Sequence, residues 1–450
     1  MADKHCVAIF GGAVAGSEAV EQMVKRGVHV VVFDQNALPY GKIESGLPKW
    51  HVKLRDKQEK KINERLSQPN VQYVPLCRLG KDLSFEDISK NWGFSAILLA
   101  TGAWKDRAFP LQKIEHFLGN GFYYQNPFVQ WFNLCHDPAY NGPDFEIKEN
   151  AAVLGGGLAS IDVAKILMIE TFRAAIAKLG HNLDSISIER LGLRKAADSI
   201  GVDIDSLNLK NCNIFYRRRI IDMPLSPDPV SGNEDDLKKS QAVRQKIVSL
   251  AEDKFLFKVN ECQSPVDLIV ENGKLTGLKM QKNKIVDNRA MPIEGEISEV
   301  ETHLAISSIG SIPELIPGIN SDGEKFELED ASTGKLKGFE NVFALGNAIT
   351  GKGNIKESQK HGRNVSESII RDYLGVTGGD DHRSEYEFKT GILDQLKPVS
   401  SYIDQSNPLS DEELSEIKNR VSELQQKVSY NNFEDWIKRN LPARLENMGE

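Results

Sequence analysis

Cysteine is scarce and scattered. The 450-residue chain has five, Cys6, Cys77, Cys135, Cys212 and Cys262, with no C-x-x-C pair and no metal-like spacing among them. This argues against a disulfide scaffold, an iron–sulfur cluster and a dithiol redox centre. Isolated thiols read as small buried apolar groups, and a reducing, cytoplasmic setting is expected. A basic excess is missing too. The formal net charge of −8 speaks against a nucleic-acid partner and leaves small-molecule chemistry open. No apolar run is long enough to span a bilayer. The run after Lys4 imitates a secretory signal, but glycines interrupt it and a folded pattern follows at once, so a signal peptide is not expected. What the chain does have is length for about two to three domains and 40% hydrophobic residues to fill their cores.

The stretch from Cys6 to Asp34, CVAIFGGAVAGSEAVEQMVKRGVHVVVFD, organises the rest. An apolar run, Val7 to Phe10, meets a glycine cluster, and a helix is predicted from Ser17 to Lys25. Gly27 breaks that helix, and a second apolar run from Val28 to Phe33 ends on Asp34. Strand, tight turn, helix, strand and acidic cap outline a dinucleotide-binding βαβ unit. Glycines let the backbone approach a pyrophosphate at the helix N-terminus, and the acid accepts hydrogen bonds from a ribose diol. Read as G-x-G-x-x-G, the positions are Gly11, Ala13 and Gly16. The Ala13 methyl is expected to crowd the closest backbone approach and to weaken cofactor retention. Without further support, the same stretch also reads as an ordinary βαβ turn.

An irregular loop follows, marked by Pro39, Gly41, Gly46 and Pro48, and then a charged helix is predicted over Val52 to Leu66. Lys49, Lys53, Arg55, Lys57, Lys60 and Lys61 make this region locally basic. It reads either as a solvated face or as a docking patch for an acidic partner. Val71 to Leu79 reads as a strand, and Ser95 to Ala100 as a buried strand closing on Thr101 and Gly102. A second strand–glycine–helix landmark is AAVLGGGLASIDVAKIL, Ala151 to Leu167, with the pattern G-x-G-x-x-S ending on Ser160. Two such motifs, each opening a helix, are far stronger than one. A helix is expected over Ser187 to Ile200, and then NCNIFYRRR forms a strand ending in Arg217, Arg218 and Arg219. Asp34 and these arginines close corresponding strands. A carboxylate repels a 2′-phosphate, whereas guanidinium groups bind one bidentately. The first unit therefore suits FAD and the second NADP.

Asp222 to Val230 is proline-rich, and Asp235 to Glu252 reads as a charged helix. Short β-like segments follow at Leu268 to Val270, Leu275 to Met280 and Glu296 to Thr302, then a buried strand at Leu304 to Ile309. A third landmark, NVFALGNAITGKGNIKESQKHG, has a strand ending at Gly346, then Gly351, Gly353 and a helix starting near Ile355. This is either a plain glycine loop or a second helix N-terminus aimed at a cofactor. From Thr377 the composition turns polar. Ser410 and Glu413 form a capping box before an amphipathic helix carrying Leu414, Ile417, Val421, Leu424 and Val428. That helix either packs on its own domain or serves as a dimer or partner-binding arm.

In this order, over roughly residues 5–375, the landmarks resemble the adrenodoxin reductase family of ferredoxin–NADP reductases, which is related to the glutamate synthase small chain. The resemblance is most specific in the first glycine fingerprint, in NPFVQWFN at Asn126 to Asn133 (similar to the family's FVGWYN), in GGGLASID at Gly155 to Asp162 (similar to GQGNVALD) and in the pair Arg217 and Arg218. FLFKVNECQSP with the following VENGKLTGLKM is also similar. The resemblance implies a fold of two Rossmann-like three-layer α/β dinucleotide-binding domains. The FAD domain is discontinuous at 1–108 and 335–375, the NADP domain is inserted at 109–334, and 376–450 is a helical extension. It implies an NADPH oxidoreductase passing electrons through FAD to a one-electron acceptor, a ferredoxin for preference.

Residue by residue, the resemblance places Gly11, Ala13, Ala15, Gly16, Asp34, Lys42, Cys77, Thr101 and Gly102 at FAD. Gly346 and Asn347 join them, Asn347 taking the place of a family tryptophan over the flavin, and Gly353, Asn354 and Ile355 match the turn near flavin and nicotinamide. Gly156, Gly157, Leu158 and Ala159 match the NADP pyrophosphate turn, and Arg217 and Arg218 the 2′-phosphate clamp. His51 and Asp162 fall where the family has a His and an Asp near the flavin, a pairing suited to a proton relay. The chain departs from the family at Ala13, at Asn347 and the loop after it, which is one residue shorter, and after residue 376. A cysteine-rich N-terminal extension like that of glutamate synthase small chains is not expected. Other readings stay open: an NADPH-input subunit of a larger oxidoreductase, or a non-catalytic nucleotide-bound regulatory protein. No nucleic-acid partner, membrane span or metal is expected, and oligomeric state is left open.

Overall fold

A computed structural model describes residues 2–226, 229, 233–351, 353–376 and 407–448. Part of the proline-rich segment 222–230 and the extension's residues 377–406 and 449–450 lie outside the described residues. The chain divides into two compact units. The first comprises Met1–Glu44, Lys53–Lys105 and Ser311–Leu441, and the second Ser45–Val52, Asp106–Gly310 and Pro442–Glu450. The architecture is α/β, with one large sheet in each unit, mostly parallel in the first and wholly parallel in the second.

In the first unit, seven strands lie in the order Leu328–Asp330, Lys335–Leu336, Val342–Ala344, Ala96–Leu99, Cys6–Phe10, His29–Phe33 and Val71–Val74. The last five run parallel, with Phe10 level with Phe33 and Leu99. Alternate side chains feed two cores. Val7, Ile9, Val30, Val32 and Leu98 enter one, and Ala8, Phe10, Val31, Phe33 and Leu99 enter the other. Burial of both faces is why these strands read as unbroken apolar runs. Ser410 and Glu413 form the expected capping box on the helix Asp411–Lys427. That helix buries Leu414, Ile417 and Val421 in the second core, so it packs on its own unit. The third strand is shorter than expected, ending at Val74. Pro75 offers no N–H to extend the ladder, and Leu76 turns to φ +55°.

In the second unit, five parallel strands lie in the order Phe122–Tyr124, Ala305–Ser308, Ala152–Gly155, Asn213–Tyr216 and Lys258–Glu261. Helices, among them Leu158–Ala177 and Glu234–Phe255, cover one face. The other face is covered by a three-stranded antiparallel sheet, Gln263–Glu271, Lys274–Val286 and Arg289–Glu301, through Leu275, Leu278 and Met280. This sheet is much longer than the short β segments expected. Its outer strand is mostly exposed and carries Glu294, Glu296, Glu299 and Glu301, so no apolar alternation marks it. The helix expected over 187–200 is two helices, Ser185–Leu191 and Leu193–Ser199, broken where Gly192 takes φ +84°. Among the described residues no helix is long and apolar enough to cross a membrane.

Candidate functional site

The first-unit site is built on the turn after Cys6–Phe10. Gly11 sits at φ +105°, and a Cβ there would stand 2.4 Å from the Ala100 carbonyl oxygen. The turn thus packs directly against the strand end that leads into Thr101 and Gly102. A Cβ on Gly16 would stand 1.8 Å from the Gly11 carbonyl oxygen, so the helix Val14–Val24 rests on its own turn. That helix starts without a side-chain cap, which leaves its first-turn N–H groups for an anion. The Ala13 methyl lies against Gly41, where an added Cβ would be 2.8 Å from it. Gly41's missing side chain makes the room that Ala13 needs.

Asp34 closes the next strand. Its carboxylate accepts from Gly12 N and Asn36 N, each at 2.9 Å, and it is buried. Burial pushes its carboxyl up to about 6, and the two N–H donors only partly offset this. A carboxylate offers about four acceptor positions, so two backbone bonds leave capacity for a ribose. Cys77 donates its backbone N–H to the Asp34 carbonyl at 2.8 Å. Its thiol is buried in the core and pushed up to about 12 by that burial, which makes it inert. Lys42 Nζ donates to Ser311 Oγ at 3.0 Å.

The 346–355 turn meets the same helix start. Added Cβ atoms on Gly346 and Gly362 would stand 2.6 Å from the Ala15 Cβ and 2.7 Å from its carbonyl oxygen, so Ala15 is wedged between them. A Cβ on Gly353 would be 3.4 Å from Asn347 Nδ2. Asn354 caps the helix Ile355–Ser368 by accepting from Glu357 N at 2.8 Å. His361 was not singled out by sequence, where a lone histidine on a helix carries no signal. Its Nδ1 accepts from Gly346 N at 3.1 Å, a bond that requires the neutral ring, and burial lowers its basicity accordingly. Two polar atoms here, Thr101 Oγ1 and Asn347 Oδ1, are buried with no partner among the described residues. Leaving such a group unsatisfied costs about 1–3 kcal/mol. Glycine cradle, uncapped helix, acid at the strand end and orphaned polar atoms together fit a dinucleotide.

The second-unit site repeats the plan with different groups. A Cβ on Gly155 would stand 2.1 Å from the Ser308 carbonyl oxygen, and one on Gly156 2.2 Å from the Tyr216 ring. Gly157 has nothing within 4 Å of that position and starts the helix Leu158–Ala177 without a side-chain cap. Leu158 is exposed and Ala159 half-buried at this open end. Ser160 Oγ bonds Ser308 Oγ at 3.0 Å, fastening the helix to the neighbouring strand. Of the three arginines, Arg219 is neutralised by a two-pronged pairing with Asp222, both bonds at 2.9 Å. Arg218 bonds only neutral oxygens, Tyr216 Oη at 3.0 Å and the Asp222 carbonyl at 3.2 Å. Arg217 is exposed, and its guanidinium makes no ion pair among the described residues. The two arginines singled out from sequence are the two without a carboxylate partner among the described residues.

His51 and Asp162 also come together in this unit, with Nε2 and Oδ1 4.0 Å apart. Asn133, the last residue of NPFVQWFN, bridges the loop before His51. Its Nδ2 donates to the Leu47 carbonyl and its Oδ1 accepts from Lys49 N, both at 2.9 Å. Lys165 lies one turn beyond Asp162, 4.0 Å from its Oδ1, and pairs with Glu189 at 2.7 Å. Lys165 also sits over the Trp50 ring at 4.6 Å. Sequence reading passed over Lys165, although its i+3 spacing from Asp162 was the available signal.

No family model matches the chain. It is 29% identical over 262 residues to a protein of Arabidopsis thaliana named NADPH:adrenodoxin oxidoreductase, mitochondrial, covering 54% of this chain and 50% of that one. It is 20% identical over 358 residues to a probable mitochondrial NADPH:adrenodoxin oxidoreductase of Schizosaccharomyces pombe, covering 74% of each. The chain thus spans about half the length of the Arabidopsis relative. Among solved structures it is similar to Mycobacterium tuberculosis FprA in complex with NADPH, with a TM-score of 0.67, 17% identity, and 94% of this chain and 91% of that one covered. In sequence the chain is thus similar to proteins named NADPH:adrenodoxin oxidoreductase, and in fold to FprA.

Proposed function

We propose that the chain binds FAD in its first unit and NADPH in its second, and passes electrons from NADPH by way of FAD to a ferredoxin-type one-electron acceptor. The observation that carries this reading is the contrast between two glycine turns of one plan. One is backed by the buried Asp34 and the other by Arg217 and Arg218, which have no carboxylate partner among the described residues. When bound, FAD supplies exchange between two-electron and one-electron carriers.

The chain's own residues do the holding. The uncapped helix starts at Val14 and Leu158 bind the two pyrophosphates. Asp34 accepts from the FAD ribose, and Thr101 Oγ1 and Asn347 Oδ1 take the polar edges of the same cofactor. Arg217 and Arg218 select the 2′-phosphate. His51 and Asp162, with Nε2 and Oδ1 4.0 Å apart, serve as the proton-relay pair, and Lys165 stands 4.0 Å from the same carboxylate oxygen. The exposed lysines Lys53, Lys57 and Lys60 offer contacts for an acidic acceptor.

The test is the visible spectrum of the purified protein under anaerobic titration. The expected protein is yellow, is bleached by NADPH and only weakly by NADH, and regains colour when oxidised ferredoxin is added, faster at low salt. A colourless protein that takes up no added FAD sinks the reading.

A pH dependence follows from Asp34. Its folded-state carboxyl titrates near 6, above the ordinary 3.8. The ionised form is the one that accepts from a ribose, so FAD affinity falls as pH drops through about 6. Folding has the opposite sign. The raised group favours the folded, cofactor-free chain fully below 3.8, and that contribution is lost as pH rises through about 6. FAD release measured between pH 5 and pH 8, alongside the melting of cofactor-free protein, separates the two effects. Asp34→Asn is expected to flatten both curves.

A further inference from the structure

The loop from Asp34 to Gly41 follows the strand whose terminal acid marks the ribose end of a bound dinucleotide, so it walls the adenosine half of the first-unit site. Its contacts run inward to the glycine turn. Asn36 N bonds Asp34 Oδ1, an added Cβ on Gly12 would stand 2.8 Å from the Pro39 Cβ, and Gly41 backs onto the Ala13 methyl. A shift of this loop therefore moves the surfaces that border the turn.

One carbonyl in the loop is held from outside. Ala37 O accepts from Trp436 Nε1 at 2.7 Å and from Tyr73 Oη at 3.2 Å. Trp436 belongs to the helix Phe433–Asn440 and is buried. Around it the contacts are dense. Tyr73 meets Phe433 edge-on at 5.4 Å, Tyr430 packs on Trp436 at 5.8 Å, and Gln425 Nε2 donates to the Tyr73 carbonyl at 2.8 Å. The C-terminal helices thus bring an indole N–H to a loop carbonyl that already has a phenol donor. A buried indole needs some acceptor for its N–H, and any nearby carbonyl meets that need. Choosing the one at the centre of the cofactor-bordering loop does more, because it fixes that loop's height over the turn.

We infer that Trp436 is a positioning residue for the dinucleotide of the first unit, acting through Ala37 on the loop that walls the adenosine half. This gives the C-terminal helices a role in cofactor retention. It also accounts for the tolerance of Ala13, whose methyl depends on Gly41 staying where the loop holds it. The inference rests on the proposed FAD site.

The test uses the full chain with Trp436→Phe, which keeps a buried aromatic ring and removes the N–H together with the smaller ring of the indole. The FAD dissociation constant is expected to rise about fivefold, the size of one net hydrogen bond. Amide exchange at residues 36–41 quickens in the cofactor-free protein by a larger factor than exchange at 96–99, which follows only the general change in stability. Tyr73→Phe removes the second donor from the same carbonyl and is expected to act in the same direction, less than additively with Trp436→Phe. It serves alone if Trp436→Phe fails to fold. FAD affinity within twofold of the parent in both variants overturns the inference, as does a loss of affinity matched by a general loss of exchange protection. If the parent itself binds no FAD, the proposed function is what fails. If the parent binds FAD and the variants hold it equally, only the tether fails.

Discussion

Replacing Arg217 and Arg218 together with alanine raises the KM for NADPH by about 10²–10⁴-fold and leaves that for NADH unchanged. The magnitude comes from two charge-assisted contacts to one phosphate, each worth about 1.5–3 kcal/mol. NADH has no 2′-phosphate and loses nothing. Neither arginine has to be stripped from a carboxylate before it can bind, since Arg217 has no ion pair among the described residues and Arg218 rests on neutral oxygens. Arg219 supplies the control. Its fork is already filled by Asp222, so Arg219→Ala leaves the NADPH preference near the parent's. Steady-state rates with both nicotinamides and a small inorganic acceptor decide the matter. An unchanged NADPH preference in the double variant removes the electrostatic argument for the second site.

The two glycine turns were legible in the sequence because their requirement is local. Gly11 and Gly155 each face a carbonyl oxygen of a neighbouring strand at a distance no Cβ tolerates, and no other residue type can stand there. The parallel strands were legible as well, because burial on both faces leaves an unbroken apolar run. The outer strand Arg289–Glu301 was not, since its residues face water and its pairing with Lys274–Val286 is a matter of register alone. Charge was only half legible. The sequence showed six basic residues over 49–61, but Lys49 and Arg55 are buried, Lys49 with its Nζ 4.2 Å from the centre of the Phe132 ring. The tether from Trp436 to Ala37 joins residues 399 apart in sequence, and no periodicity or motif reports a contact of that range.

Gly16→Ala is expected to cost the protein its FAD and about 3 kcal/mol or more of first-unit stability, in the range of severe backbone clashes. The added Cβ would stand 1.8 Å from the Gly11 carbonyl oxygen and 3.3 Å from the Ala100 methyl. Backbone lies on the near side and the sheet on the far side, so no side-chain rotation relieves the contact. The helix must lift from the turn, and with it go the N–H groups aimed at the pyrophosphate. Space, rather than φ, is the obstacle, because Gly16 is an ordinary helical residue. Gly157→Ala in the second unit is the informative counterpart. Among the described residues nothing lies within 4 Å of its added Cβ, and its φ of −86° suits any residue. Melting of Gly157→Ala should therefore match the parent, while NADPH binding weakens if a phosphate uses that open space. Flavin content on purification and thermal unfolding measure both variants. A Gly16→Ala protein that keeps its FAD and its melting temperature would show that the helix has freedom to move off the turn, and the close-packed first site argued from Gly11, Gly16 and Ala15 would fall with it.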